Sequence, residues 1–221
     1  MGRRLSLGIA AVVVGGFAAG CGGDPAQPAS GNALAGETRA TGGPVEARGE
    51  TTALVALEGQ AAVAVVTGPR WRLVRRTRVA AGPHNLAADP HGLAAAVTSP
   101  PSDRVTILDP AGRVRAAVRV TGGPHDVRFT PDGERLWVTV ERGRRLVQIG
   151  VRRGRVLRSV AVGARPHDLA VSRDGRRMWV TIDGSGAVEE RSTHTGRLLA
   201  SHRPGGTPHD VGSAPGAARY G

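Results

Sequence analysis

The chain has 221 residues, of which 40% are apolar but only 3% aromatic, so its core must be built mainly from Val, Leu, Ile and Ala. Its 33 glycines and 15 prolines favour many turns and short strands over long helices. A single cysteine excludes an intrachain disulfide, and the formal net charge of +12 rests on arginine alone, because no lysine is present. A basic balance of this size raises nucleic acid or an anionic membrane as partners. The arginines are spread out, however, as in Arg70, Arg72, Arg75, Arg76 and Arg78 and again in Arg152, Arg153, Arg155 and Arg158, which fits a solvated basic face better than a nucleic-acid site.

The chain begins as an address. Arg3 and Arg4 precede an apolar run from Leu5 to Ala19, and Ala18-Ala19-Gly20-Cys21 follows. A charged start, a short hydrophobic run and a small-residue cleavage site read as an export signal too short to span a bilayer comfortably. With cysteine directly after the small residues, the segment 1–21 resembles a bacterial lipoprotein signal with its lipobox. That resemblance implies cleavage before Cys21, lipidation of Cys21 and anchoring at the outer face of the cytoplasmic membrane. Ala18 stands where such a motif usually has leucine. Residues 22–49 are rich in Gly, Pro, Ala and small polar residues without an apolar period, which predicts a flexible tether.

From residue 50 to 221 the chain repeats. Pro83-His84-Asn85-Leu86, Pro124-His125-Asp126-Val127, Pro166-His167-Asp168-Leu169 and Pro208-His209-Asp210-Val211 are spaced by 41, 42 and 42 residues. Asp132-Gly133 and Asp174-Gly175 follow at a fixed distance, with His91-Gly92 in the first unit, and mark hairpin turns. Next come Leu136-Trp137-Val138-Thr139 and Met178-Trp179-Val180-Thr181, matched more weakly by Ala95-Ala96-Val97-Thr98. A third apolar run, a Gly-Arg turn (Gly112-Arg113, Gly154-Arg155, Gly196-Arg197) and a fourth run close each unit. Four short strands and three turns in about 42 residues make one blade of a β-propeller.

The predicted organisation is all-β. A partial blade spans 50–82, full blades span 83–123, 124–165 and 166–207, and a partial blade spans 208–221. The first partial blade has candidates for its second, third and fourth strands (52–57, 61–67 and 72–80) but none for its first. Two closures are open. The strand begun at Pro208 completes the first blade in a small four-bladed ring, or about four blades form an incomplete arc of a larger propeller. An arc would leave an apolar blade face and unpaired edges for self-association.

These blade residues resemble the YVTN/YncE-like β-propeller family over roughly residues 50–221. The same pattern is more weakly similar to virginiamycin B lyase-like propellers, and that likeness implies metal-assisted elimination with a histidine base near magnesium. The first strand of each propeller blade lines the central channel, so His84, Asn85, His125, Asp126, His167, Asp168, His209 and Asp210 are the candidate ligand-binding positions. Imidazole with carboxylate is a plausible set for a divalent metal or a polar ligand. A bland alternative is that each His-Asp pair only hydrogen-bonds the neighbouring blade. No catalytic residue is assigned, because no P-loop, dinucleotide fingerprint, Ser-His-Asp order or CxxC pair occurs. Arg142, Arg144 and Arg145 share one hairpin loop and could meet an anion, whereas Trp137 and Trp179 are expected in the blade core. The expected function is an exported, lipid-anchored binding or scaffold protein for a protein, glycan or small ligand, without a required cofactor. Export argues against nucleic acid. The rival is a metal-dependent propeller enzyme of lyase or lactonase type using the repeated His-Asp positions.

Overall fold

A computed structural model describes residues 9–11, 52–68 and 70–213. Cys21, the tether 22–49 and the last residues from 214 onward lie outside this range. The fold consists of four four-stranded sheets. The first contains β1 (Ile9–Ala11), β2 (Thr52–Leu57), β3 (Ala62–Thr67) and β4 (Arg72–Arg78), in that order. The second contains β5 (Leu86–Ala88), β6 (Ala95–Ser99), β7 (Arg104–Leu108) and β8 (Val114–Arg119). The third runs β9 (Pro124–Phe129), β10 (Arg135–Val140), β11 (Arg145–Gly150) and β12 (Arg155–Ala161). The fourth runs β13 (Pro166–Val171), β14 (Arg177–Ile182), β15 (Ala187–Ser192) and β16 (Leu198–His202). Apart from three short 3₁₀ turns, the described residues contain no helix, and so none long and apolar enough to cross a membrane.

Apart from the β1–β2 pair of the first sheet, the consecutive strands of each sheet pair antiparallel as a meander, and this gives a four-blade propeller-like arrangement. The inner place beside β2, for which the repeat supplies no strand, holds β1. That pairing is parallel, unlike every other ladder among the described residues. The segment at His209 and Val211 is hydrogen-bonded to Thr181 and Asp168 of the fourth blade, and no described ladder joins it to β2.

Period-two alternation explains how the blades stack. Side chains along β10 point in turn to opposite faces, and both faces are covered. Leu136, Val138 and Val140 join a cluster with Ile107, Val118 and Val120 of the second blade. Trp137 points the other way, into a cluster with Leu169, Met178, Val180 and Ile182 of the fourth. Leu54, Val63 and Val65 meet Leu86, Ala95, Val97 and Leu108 at the first boundary. Three boundaries are thus sealed by apolar side chains, as expected for modules that cannot bury both faces alone. Turn glycines set the spacing where blades approach. Gly154 has φ +55, and a Cβ there would lie 2.4 Å from Cβ of Ala116 in the preceding blade.

Candidate functional site

The inner strands bring the repeated positions together. His84, His125, His167 and His209 stand in one column, one imidazole per blade, with ring centroids 4.9, 4.1 and 3.9 Å apart and the rings mutually tilted. The two end members, His84 and His209, are exposed, and the two central ones are half-buried. The structure therefore assembles all four histidines that the repeat singles out.

Their Asn and Asp neighbours have a different task. Asn85 Nδ2 donates to the His125 carbonyl of the next blade at 3.1 Å. Asp126 Oδ2 accepts from Leu169 N, and Asp168 Oδ2 accepts from Val211 N, each at 3.0 Å. In the second, third and fourth blades the threonine of the second strand completes the staple. Thr139 Oγ1 accepts from Asp126 N at 2.9 Å and donates to the His167 carbonyl at 2.7 Å. Thr98 makes the same two bonds, to Asn85 N and the His125 carbonyl, and Thr181 makes them to Asp168 N and the His209 carbonyl. The Asx-Thr pair of each of these three blades thus fastens the backbone of the next inner segment. Asp210 differs, being exposed, with Oδ1 3.2 Å from His209 Nδ1.

The imidazoles are not consumed in this way. Nδ1 of His125 and Nδ1 of His167 are shielded from solvent and have no hydrogen-bond partner. Burial, reinforced by the neighbouring His167 and His84 rings, lowers the pKa of His125 to about 4. This ring is therefore neutral at pH 7, with a nitrogen lone pair. His167, His209 and Asp210 each offer a ligand atom, and these atoms lie within 4.8 Å of one another. A zinc ion bound at about 2.0–2.1 Å per ligand would need a tighter cluster.

A residue that the repeat did not flag completes this wall. Arg128 stands where the neighbouring blades have Ala87 and Ala170. Its guanidinium reaches Asp126 at 2.5 Å and Asp168 at 3.2 Å. Burial and the hydrogen bond with Asp168 push the Asp126 carboxyl well above the usual range, against the opposing pull of Arg128. Burial also opposes ionisation of Asp168, but the bond from Asp126, the Val211 amide and Arg128 outweigh it and hold this carboxyl low. Asp168 carries the negative charge and Asp126 retains its proton longer. The signal in the sequence was a break from the repeat rather than a match to it.

Away from the column, at the far ends of the inner strands, the Asp132-Gly133 turn borders a cleft of about 520 Å³. It is lined by Asp89, His91, Arg115, Arg135 and Leu157 among others. The hairpin arginines are largely engaged. Arg142 lies 3.7 Å from Asp103, and Arg145 donates to the Thr121 carbonyl. Trp137 is fully buried, its Nε1 donating to the Thr193 carbonyl at 2.9 Å, whereas Trp179 is only half-buried.

No protein-family model matches the chain, and no curated protein matches it. Solved structures do. Hydrazine synthase of Kuenenia stuttgartiensis aligns over 67% of this chain and 44% of its own, with a TM-score of 0.63 and 20% identity. A 6-phosphogluconolactonase candidate from Bacteroides uniformis aligns over 68% of this chain and 52% of its own, with a TM-score of 0.57 and 18% identity. At these identities the likeness shows the fold. These are propeller-type structures, and the chain spans about half the length of each.

Proposed function

We propose that the chain is an exported, lipid-anchored propeller of the YVTN/YncE-like kind that binds a ligand on its inner-strand face without transforming it. One observation carries this reading: the two halves of the His-Asp repeat are used unequally. The Asn and Asp side chains of the first three units are spent on fastening blades, so they need no ligand to account for them. The imidazoles form a column whose central members keep buried nitrogens without partners. Imidazole nitrogens beside a carboxylate suit a borderline divalent cation such as zinc, or a polar ligand able to donate hydrogen bonds.

Calorimetric titration of the full chain with zinc chloride tests this reading. Saturable uptake by the wild type, lost in His167→Ala/His209→Ala, is the expected result. The pair His125→Ala/His167→Ala should fold nearly as well as the wild type and also lose uptake. Uptake unchanged in both pairs would remove the column as the ligand face. Membrane fractionation of Cys21→Ser tests the anchor: the protein should leave the membrane fraction.

A second reading, a metal-dependent enzyme of lyase or lactonase type, draws support from the cluster of His167, His209 and Asp210. The lactonase candidate among the fold neighbours adds to it. Hydrolysis of 6-phosphogluconolactone by the zinc- or magnesium-supplemented chain, abolished in His167→Ala/His209→Ala, would favour the enzyme over the binding protein.

A further inference from the structure

The outer edge of the first blade differs from the other three. Its last hairpin and strand carry Arg70, Arg72, Arg75, Arg76 and Arg78 within nine residues, and no acidic residue occurs between Glu58 and Asp89. All of these arginines except Arg75 are exposed, and none forms an ion pair with a carboxylate of the described residues. Interleaved with them are Trp71, Leu73 and Val74, which are 55%, 56% and 62% exposed. The other outer strands share a modest apolar exposure at Val114, Val156 and Leu198. Counted in the same way, the last hairpin and strand of the third blade carry Arg152, Arg153, Arg155 and Arg158, whereas β8 has two arginines and β16 none, so what sets the first blade apart is the exposed Trp71 and the greater exposure of Leu73 and Val74 among its arginines.

Solvation explains exposed arginines but not an exposed tryptophan set among them. Trp71 also occupies the left-handed region, with φ 46, where a bulky side chain is uncommon. At this place, next to the start of β4, Trp71 leaves more than half of its surface to solvent. An aromatic ring flanked by apolar and cationic side chains on one exposed strand matches the boundary of an anionic phospholipid surface. There the ring sits at headgroup depth and each cation gains from the surface potential.

We infer that the β4 edge, from Arg70 to Arg78 with Trp71 at its tip, docks the first blade onto an anionic phospholipid bilayer. The contact would lay that blade against the membrane and leave the imidazole column on another strand of the fold free for its ligand. It is independent of what the column binds. It would also supply the second attachment that a lipid-modified Cys21 needs if the domain is to take a fixed orientation rather than swing on its tether.

The test uses the full chain with Cys21→Ser, so that no acyl chain contributes, and vesicles of phosphatidylcholine with or without an equal part of phosphatidylglycerol. Trp71 is the local reporter, read as the difference in emission between the chain and its Trp71→Phe variant. This difference isolates the signal of Trp71 from that of Trp137 and Trp179. Expected are a blue shift and quenching by brominated lipid at Trp71 with the anionic vesicles. Both should weaken in high salt and be nearly absent with phosphatidylcholine alone. Arg72→Glu/Arg76→Glu should weaken the Trp71 response by more than about tenfold, with an unchanged far-UV spectrum and denaturation midpoint. Trp71 emission unmoved by anionic vesicles would overturn the inference. So would a shift that survives charge reversal, or a response to duplex DNA and none to lipid.

Discussion

The boundary between the third and fourth blades and the far face of the fourth blade are built from the same repeat, yet they are finished differently. At the boundary Trp137 is fully buried, its indole N–H is bonded to Thr193, and Asp126 is fastened to the Leu169 amide. On the far face the equivalent Trp179 is half-buried, and Asp168 holds only the short segment that ends the described chain. The residues are the same and the covering is not. Stability at a repeat position therefore comes from the neighbouring blade rather than from the residue itself. The most direct way to break this comparison is to truncate both indoles. Trp137→Ala should cost about 3–5 kcal/mol in urea unfolding, as for a large aromatic removed from a closed core. Trp179→Ala should cost about 1 kcal/mol, near the average for any substitution. Equal losses would mean that the far face is covered in solution, by a second copy of the chain or by residues beyond those described, and sedimentation would distinguish these.

The aspartates sharpen the same contrast. Asp126→Ala leaves the Leu169 amide without its acceptor inside a sealed boundary and removes one of the two carboxyls facing Arg128. A loss of about 1–3 kcal/mol is expected in denaturant titration. Asp126→Asn keeps the acceptor oxygen and, since burial already favours the uncharged carboxyl, should cost less than Asp126→Ala. Asp168→Ala should act locally. It should speed amide exchange at Val211 more than it lowers the unfolding midpoint.

The sequence made the blades legible because each is a local object. Its four strands and three turns fall within about 42 consecutive residues, and Gly133, Gly154 and Gly175 punctuate it at fixed places. The histidine column was legible for the same reason, being one position repeated. What joins the blades was not. Asp126 and Leu169 are 43 residues apart, and the choice between holding a ligand and holding a backbone amide depends on a partner that only packing supplies. Both roles had been open for the Asx positions. The structure assigns Asn85, Asp126 and Asp168 to the backbone and brings Asp210 alone beside the imidazoles. Arg128 escaped notice because it breaks the pattern, and its two carboxylates come from different blades. The strand β1 was also beyond sequence reasoning, since nothing in Ile9–Ala11 resembles an inner strand of the repeat.

Acid should act on the column through His125. In the folded chain His125 titrates near 4, below its ordinary value of 6.5, chiefly because burial disfavours the charged ring. Between those two values the unfolded chain takes up a proton at this position that the folded chain refuses. Stability from this group is therefore complete above about pH 6.5 and is lost as the pH falls towards 4. Urea midpoints measured across that window should decline for the wild type and decline less steeply for His125→Asn. The ring's own NMR titration should centre near 4. A midpoint near 6.5 would show that the His125 ring is open to water.

The smallest expected difference lies in the threonine staples. Thr139→Val removes a hydroxyl that accepts from Asp126 N and donates to the His167 carbonyl, both within the sealed boundary. The valine methyl fills the space, but two backbone groups lose their partner, so a cost of about 1 kcal/mol is expected. Thr181→Val makes the same cut where the partner strand is the exposed segment at His209. Water can replace the lost bond to the His209 carbonyl there, so that only the buried Asp168 N is left without its partner, and the denaturation midpoint should fall by less than for Thr139→Val. The effect should surface also as faster exchange at Val211. If Thr181→Val proved as costly as Thr139→Val, the segment from Pro208 to Val211 would behave as a packed inner strand, and the two faces of the fourth blade would be equivalent after all.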